Sequence, residues 1–463
     1  MEQMNLFEVL YEKYRIKNRI RLIELFGGIG SQAKALEMLQ EQGKLPNGFE
    51  HYRLVEFDKY PIASYNAVHG TNFEPTDITK IKASDLGIVD RDKYEYILTY
   101  SFPCQDLSLA GKGRGMKKGS GTRSGLLWEV ERLLNECGEE LPQILLMENV
   151  PNLLGDKNIE DFKAWVRFLE DKGYSCYYEL LNAKEIGYPN PIPQNRQRCF
   201  MISILGDAYY QFPKPVPLKL KLEDMLQPEQ EVDEKYYLSD KILECISFNG
   251  EVDLSSIKNK CVRESIENCD LEKVDDVSFI DGFNRTVRKD KCTSTIDTGI
   301  SFRNKNFILI KEATKKGYAV ATKGDSISLE RPESQTRRGR VGKGVAQTLL
   351  TSCEQGVVVD YNKESPKCIG GFGEIYNDGY QYAMQKRIYD NKIATSITTA
   401  FNPFYKFGLR IRKLTPKECW RLMGFSDQDF EKASKVNSNA QLFKQAGNSI
   451  VVNVLVAIFN QLL

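Results

Sequence analysis

The chain has 463 residues, 41% of them hydrophobic and 27% charged, with a formal net charge of +1, the profile of an ordinary globular protein long enough for two domains. So even a balance excludes a globally basic polyanion binder, and any such face must be local. No run approaches the roughly 18 apolar residues of a membrane span, and the charged opening MEQMNLFEVLYEKYRIKNR lacks a secretory apolar core, so no membrane contact is expected.

Eleven cysteines are spread along the chain without a CxxC pair, which suits reduced thiols in a cytoplasmic protein. His51 and His69 are its 2 histidines. That weakens any Ser-His or Cys-His mechanism and argues against a His-rich metal site, so no metal is expected. Acid–base work then falls to carboxylates, arginines or water.

In chain order, residues 20–25 read as a strand, Phe26-Gly27-Gly28-Ile29-Gly30 as a glycine-rich turn and residues from Ser31 as a helix. This opens a nucleotide-binding α/β unit, or is a tight strand–helix turn without a ligand. A second strand, 52–55, runs into Glu56-Phe57-Asp58, where such folds place a ribose-binding carboxylate. Asp77 and Ile78 follow in a loop that could line an adenine pocket, or be plain surface. The apolar, β-prone residues 96–100 form a third strand, ended by Pro103, so that Cys104 stands at the carboxyl edge of the sheet. A buried core cysteine is the alternative reading.

The loop that follows, LAGKGRGMKKGSGTRSG, carries Lys112, Arg114, Lys117, Lys118 and Arg123 with no acid. It suits closure over a polyanion, or a solvated linker. A helix over 126–134 leads to a buried strand, 143–147, that ends in Glu148. A carboxylate beside such an apolar run has its pKa raised by desolvation, which fits a proton donor; an edge-of-sheet salt bridge is the alternative. Two strands, 177–181 and 199–204, flank a proline-stiffened connection in which Arg196 and Arg198 sit at i, i+2 and face the same way. Paired guanidiniums suit a carbonyl oxygen or phosphate, or lie on the surface.

From about residue 213 to 410 the sequence turns polar, with short Thr/Ser-rich strands at 292–296, 346–350 and 394–398. Arg337, Arg338, Arg340 and Lys343, with Tyr361, Phe372, Tyr376 and Tyr380 interleaved further on, suggest a β-rich domain with a basic, DNA-contacting face, or an accessory domain. Residues 415–425 begin a capped helix with Thr415 as N-cap, Pro416 at N1 and Glu418 at N3. An apolar helix over 450–463 is long enough to dock on the first domain.

Together these stretches resemble the bacterial DNA cytosine-5 methyltransferases of restriction–modification systems. The motifs are SFPCQDLS, GSGTRSGLLWEVER, LLMENV, QNRQR, RKLTPKECWRLMGF and QAGNSI. They keep the family's order and cover about residues 20–205 and 408–463, while 213–405 matches only as a variable region. The resemblance implies an α/β fold, with a Rossmann-like S-adenosylmethionine-dependent methyltransferase sheet in 1–212. It further implies a smaller β-rich target-recognition domain in 213–434 and a segment, 435–463, folding back onto the catalytic domain.

By the same resemblance, Cys104 adds to C6 of a flipped cytosine, Glu148 acts at N3, Arg198 holds the O2 side and Arg196 supports it or a backbone phosphate. The methyl group passes from S-adenosylmethionine to C5, and loss of the C5 proton expels the thiol. The cofactor is held by Phe26, Gly28, Ile29, Gly30, Glu56, Asp77, Ile78, Pro103, Leu126, Asn448 and Ser449. Ser108, Lys112, Arg114, Lys117, Lys118 and Arg123 close over double-stranded DNA. The implied protein is a cytoplasmic monomer, with any cognate restriction endonuclease acting separately. A tRNA cytosine-5 methyltransferase and a catalytically dead DNA-binding homologue are the rivals. The long 213–405 insertion argues against the first, and intact Cys104, Glu148, Arg196 and Arg198 argue against the second.

Overall fold

The computed structural model of the chain describes residues 12–103, 123–239, 242–243, 245, 279–281, 286–288, 307–352, 354–362, 368–371, 387–389 and 407–463. It divides into two units: Met1–Tyr236 with Gly344–Gln355 and Leu414–Leu463, and Tyr237–Lys343 with Gly356–Lys413. These bounds differ from the ranges expected. Residues 213–236 and 414–434 pack within the first unit, where Gln227 N–H donates to Glu418 at 2.8 Å. Residues 344–355 join them, with Leu222 N–H donating to the Gly344 carbonyl and Ala346 N–H to that of Pro193, both at 2.8 Å. Long-range hydrogen bonds, invisible in composition, set the boundary.

The first unit is built on β1 (Arg19–Leu25), α1 (Ser31–Glu41), β2 (Phe49–Val55), α2 (Lys59–His69), β3 (Tyr94–Tyr100), α3 (Leu127–Glu136), β4 (Ile144–Asn149), α4 (Ile159–Asp171), β5 (Tyr174–Asn182), β6 (Gln194–Asn195) and β7 (Gln197–Leu205). Its main sheet has the order β2-β1-β3-β4-β7-β5. The first four strands are parallel, and β7 runs antiparallel to both neighbours. The sequences YEYILTY and ILLMEN of β3 and β4 are buried along almost their whole length, as central parallel strands covered on both faces must be. α3 repeats Leu127, Val130, Leu133 and Leu134 at helical spacing and buries that stripe, each side chain contributing roughly 1.5–3 kcal/mol. Trp165 of α4 is fully buried, and its indole N–H is satisfied by the Tyr100 hydroxyl at 3.1 Å. Because β1 lies between β2 and β3, strand order reverses there, opening a crevice beyond the carboxyl ends.

The second unit carries β8 (Phe279–Asp281), β9 (Thr286–Arg288), β10 (Phe307–Lys311), β11 (Tyr318–Ala321), β12 (Ser326–Ser328), β13 (Val341–Gly342), β15 (Gln355–Asn362, from Gly356 on), β16 (Cys368–Gly371), β17 (Arg387–Tyr389) and β18 (Phe407–Lys413), while β14 (Ala346–Gln347) pairs with β6 in the first unit. Its strands lie in short sheets, β11-β10-β8-β9, β13-β12-β15-β18 and β16-β17, around a small core including Ile308, Ile310, Ile327, Val358 and Ile411. Of the expected Thr/Ser strands, 292–296 and 394–398 lie outside the described residues, as do the side chains of Tyr361, Phe372, Tyr376 and Tyr380.

The basic run around 340 is divided: Arg338 and Lys343 are exposed and Arg337 is half-buried, but Arg340 is not on the surface. Arg340 is fully buried, donating to the carbonyls of Ser328, Arg331, Pro332 and Ser334. Arg337 pairs with Glu330 at 3.0 Å and Lys343 with Asp325 at 2.7 Å. A small, turn-rich unit has many carbonyls to satisfy, and the Arg340 guanidinium is turned to that use.

The chain ends in α5 (Pro416–Arg421), α6 (Asp427–Ser434), α7 (Asn439–Asn448) and α8 (Val452–Phe459). Thr415 caps α5: its hydroxyl accepts from Glu418 N–H at 3.2 Å, and Glu418 accepts from Thr415 N–H at 2.8 Å. The helix expected over 450–463 is the shorter α8, separated from α7 by 449–451. Among the described residues, Asn439–Phe459 is long and apolar enough to cross a membrane by length and composition alone, but it contains Asn439, Gln441, Lys444, Gln445 and Asn448, so it is no continuous apolar run of the kind the sequence reading excluded. It is 78% buried inside the protein. All of α8 is buried, and Ile16 N–H and the Tyr210 hydroxyl fasten its end at 2.8 and 3.1 Å; the apolar run is spent on the core.

Candidate functional site

A cavity of about 620 Å³ opens at the carboxyl ends of β1 to β4. Its floor is the turn after β1. Phe26, Gly28 and Gly30 take positive φ of 56°, 57° and 79°, a left-handed run that glycine adopts freely and phenylalanine only under strain. Phe26, Gly28 and Ile29 line the cavity, whereas Gly30 is not on its wall. A Cβ at Gly30 would lie 2.4 Å from His69 Nε2 and 2.6 Å from the Tyr65 ring. Gly30 thus seats the turn on what lies beneath it.

Glu56 follows β2 and ties itself to that turn. Its Oε2 accepts from Gly28 N–H at 3.1 Å and its Oε1 from Asp58 N–H at 2.9 Å. Burial pushes its carboxyl up, and those N–H groups oppose the shift. Asp77 caps a short 3-10 turn, Ile78–Lys80, by accepting from Thr79, contacts that hold its carboxyl below the usual range. Asp77, Ile78, Pro103 and Leu126 line the same cavity, as do Asn448 and Ser449 from the chain's far end. The Ser449 hydroxyl lies 2.6 Å from that of Ser31, at the start of α1.

Among the lining residues that the sequence reading did not assign to the site are Phe57 and Asn149. Phe57 is 74% exposed at the cavity, and its place directly after the strand-end acid was the available signal. Asn149, beside Glu148, donates to the Phe102 carbonyl at 3.0 Å and accepts from Val150 N–H. It fixes the two strand ends side by side.

Glu148 is the penultimate residue of β4, buried, with Arg198 Nε 3.2 Å from its Oε1. Burial raises its carboxyl above the ordinary value, and Arg198 and then Arg196 oppose the rise. The two arginines, expected to face the same way with Arg198 toward the base and Arg196 in support, have different partners. Arg198 faces Glu148. Arg196 is 4% exposed and donates to the carbonyls of Leu349, Gly447 and Ser449 at 3.2, 2.9 and 2.7 Å. Irregular backbone at 349 and 447–449 offers acceptors that a planar, five-donor guanidinium can satisfy together. Pro103 is on the cavity wall; Cys104, Ser108, Lys112, Arg114, Lys117, Lys118 and the Arg123 side chain lie outside the described residues.

The two histidines, whose scarcity argued against a His-rich metal site, meet Glu37 of α1: His69 Nδ1 and His51 Nε2 lie 2.7 and 3.4 Å from its Oε1.

A largely parallel sheet with a glycine turn, a strand-end carboxylate and a buried Glu–Arg pair around one switch-point cavity defines a Rossmann-like, methyltransferase-type α/β protein. More closely, the chain belongs to an enzyme family, the C-5 cytosine-specific DNA methylases, whose model matches residues 20–463. It is 30% identical over 365 residues to the type II methyltransferase M2.ScrFI of Lactococcus lactis subsp. cremoris, covering 79% of this chain and 65% of that protein. To the orphan methyltransferase M.SPRI of Bacillus phage SPR it is 27% identical over 471 residues, 96% and 98% of the two chains. The solved structure of the Entamoeba histolytica methyltransferase EhMeth superposes with a TM-score of 0.51 over 96% of this chain and 98% of its own at 13% identity, a likeness of fold.

Proposed function

We propose that this protein is a sequence-specific DNA cytosine-5 methyltransferase using S-adenosylmethionine. The observation that carries the reading is the buried Glu148–Arg198 pair, 3.2 Å apart, in the same cavity as the Phe26–Ile29 turn and Glu56. A cavity of about 620 Å³ lies within the roughly 300–1,000 Å³ of small-molecule sites.

The residues present fit an adenosyl cofactor. The Glu56 oxygens accept from the backbone N–H groups of Gly28, Asp58 and Phe57, and a carboxylate with about four lone-pair sites still has room for a vicinal diol. The open ring of Phe57 suits stacking on a base, beside Asp77 and Ile78. Phe26, Gly28, Ile29, Pro103, Leu126, Asn448 and Ser449 complete the wall, and Gly30 acts from behind it. The cofactor, when bound, supplies an electrophilic methyl group.

The chain's own residues do the rest. The Cys104 thiolate forms a bond to C6, and the ring's electron pair moves toward N3 and O2. Glu148, whose protonated form burial favours, donates at N3, and Arg198 stabilises the charge at O2. Arg196, also on the cavity wall, positions the loop carrying Gly447–Ser449. C5 becomes nucleophilic, takes the methyl group and loses its proton, after which the C6–S bond breaks and the thiolate leaves. The target base must leave the duplex to reach Cys104, and the loop with Ser108, Lys112, Arg114, Lys117, Lys118 and Arg123 closes over it. The second unit, Tyr237–Lys343 with Gly356–Lys413, reads the sequence of double-stranded DNA. The protein works as a cytoplasmic monomer, apart from any restriction endonuclease.

Base-resolution mapping of 5-methylcytosine in DNA from cells expressing the protein, beside a Cys104→Ala control, tests this. Methylation at one short recurrent sequence, absent from the control, is expected. Unmethylated DNA, or methylation that persists in the control, overturns it.

A further inference from the structure

We propose that Glu37, His51 and His69 form a binding site for one divalent transition-metal ion of the zinc class, beneath the glycine turn. The residues come from three elements, α1, the middle of β2 and the last position of α2, and their ligand atoms all lie within 4.8 Å of one another.

The hydrogen bonds around the cluster assign the rings. His69 Nε2 lies 3.0 Å from the Ile29 carbonyl, which can only accept, so Nε2 carries the proton. Its Nδ1 then turns a lone pair toward Glu37 Oε1 at 2.7 Å. The Tyr65 hydroxyl donates to Glu24 at 2.6 Å and so accepts from His51 Nδ1–H at 3.1 Å. That leaves the His51 Nε2 lone pair facing the same Glu37 oxygen at 3.4 Å. Three lone pairs converging on one point repel unless positive charge sits among them. Two added protons or one divalent ion would serve.

Four features favour the ion. Each ring donates its far N–H to an oxygen acceptor, the outer contact that metal-bound histidines use to fix tautomer and orientation. Four-coordinate zinc with bonds near 2.0–2.1 Å holds its ligand atoms roughly 3.3 Å apart. The 3.4 Å separation already matches this, and the 2.7 Å one needs only a small turn of Glu37. Glu37 Oε2 is engaged by Lys34 at 3.3 Å, so the carboxylate presents Oε1 alone. The His51 and Glu37 side chains are 20% and 21% exposed, enough for an ion to enter and for water to complete its shell. Such an ion would brace the cofactor turn, since the His69 ring that ligates it also holds the Ile29 carbonyl.

The test uses the purified full chain, stripped with chelator and titrated with Zn²⁺ against a chromogenic competitor, with Co²⁺ absorption as a report on coordination. One equivalent bound at micromolar concentration is expected, with a ligand-field spectrum of low coordination number. His51→Ala, at the more open ligand, should weaken binding at least tenfold with unchanged far-ultraviolet circular dichroism. Tyr65→Phe, which removes the acceptor for His51 Nδ1–H, should weaken it about tenfold. No uptake at millimolar metal, or uptake unchanged in both His51→Ala and Glu37→Gln, overturns the site; protons then hold the cluster together.

Discussion

Replacing Arg196 by methionine separates two arginines that stand one residue apart. Arg196 gives its guanidinium to the carbonyls of Leu349, Gly447 and Ser449. Hydrogen bonds to a charged donor are worth about 1.5–3 kcal/mol each, and a buried acceptor left unmet adds its own desolvation cost. The three contacts share one group and do not add in full, so Arg196→Met is expected to cost about 4 kcal/mol. At roughly 2–4 °C per kcal/mol for a unit of this size, Tm falls by about 8–16 °C. Differential scanning calorimetry at fixed pH measures it, and methyl transfer below the new Tm should survive in part. Arg198→Met should behave in the opposite sense: Arg198 bonds Glu148 and its neighbour's carbonyl, so Tm moves by only a few degrees while turnover collapses. A Tm for Arg196→Met within about 2 °C of wild type would refute the division of labour.

Glu148→Gln keeps the shape and an acceptor for Arg198 but removes the proton, so turnover should fall about 10²–10⁴-fold, with single-turnover kinetics as the readout; an unchanged rate removes Glu148 from the reaction. Because burial raises the Glu148 carboxyl, the working proton is present below that raised pKa and lost as pH rises through it. Wild type should therefore show a decline in rate on its alkaline side that Glu148→Gln lacks. Phe57→Ala should raise the dissociation constant for S-adenosylmethionine about 5- to 100-fold, from stacking worth roughly 1–3 kcal/mol, with little change in single-turnover rate at saturation. Calorimetric titration giving wild-type affinity would take Phe57 out of the site.

Much of the site was legible because it sits where strands end. An apolar run stops at a charged or proline residue, and the fold places every such stop of a parallel sheet at the same edge. Glu56, Pro103 and Glu148 could be read this way, each from its immediate neighbours, as could the Thr415–Glu418 cap. Tertiary structure alone decided the rest. The i, i+2 spacing of Arg196 and Arg198 said nothing of partners some 150 to 250 residues away, which turned one inward and left the other on Glu148. Nor could spacing reveal that 344–355 completes the first unit, that Arg340 spends its charge on carbonyls, or that two lone histidines share Glu37. Local order follows from neighbours along the chain, within reach of a helical turn or a strand's alternation. The pairing of distant groups is set by whichever buried donors and acceptors the packed core brings together, and no local pattern encodes that.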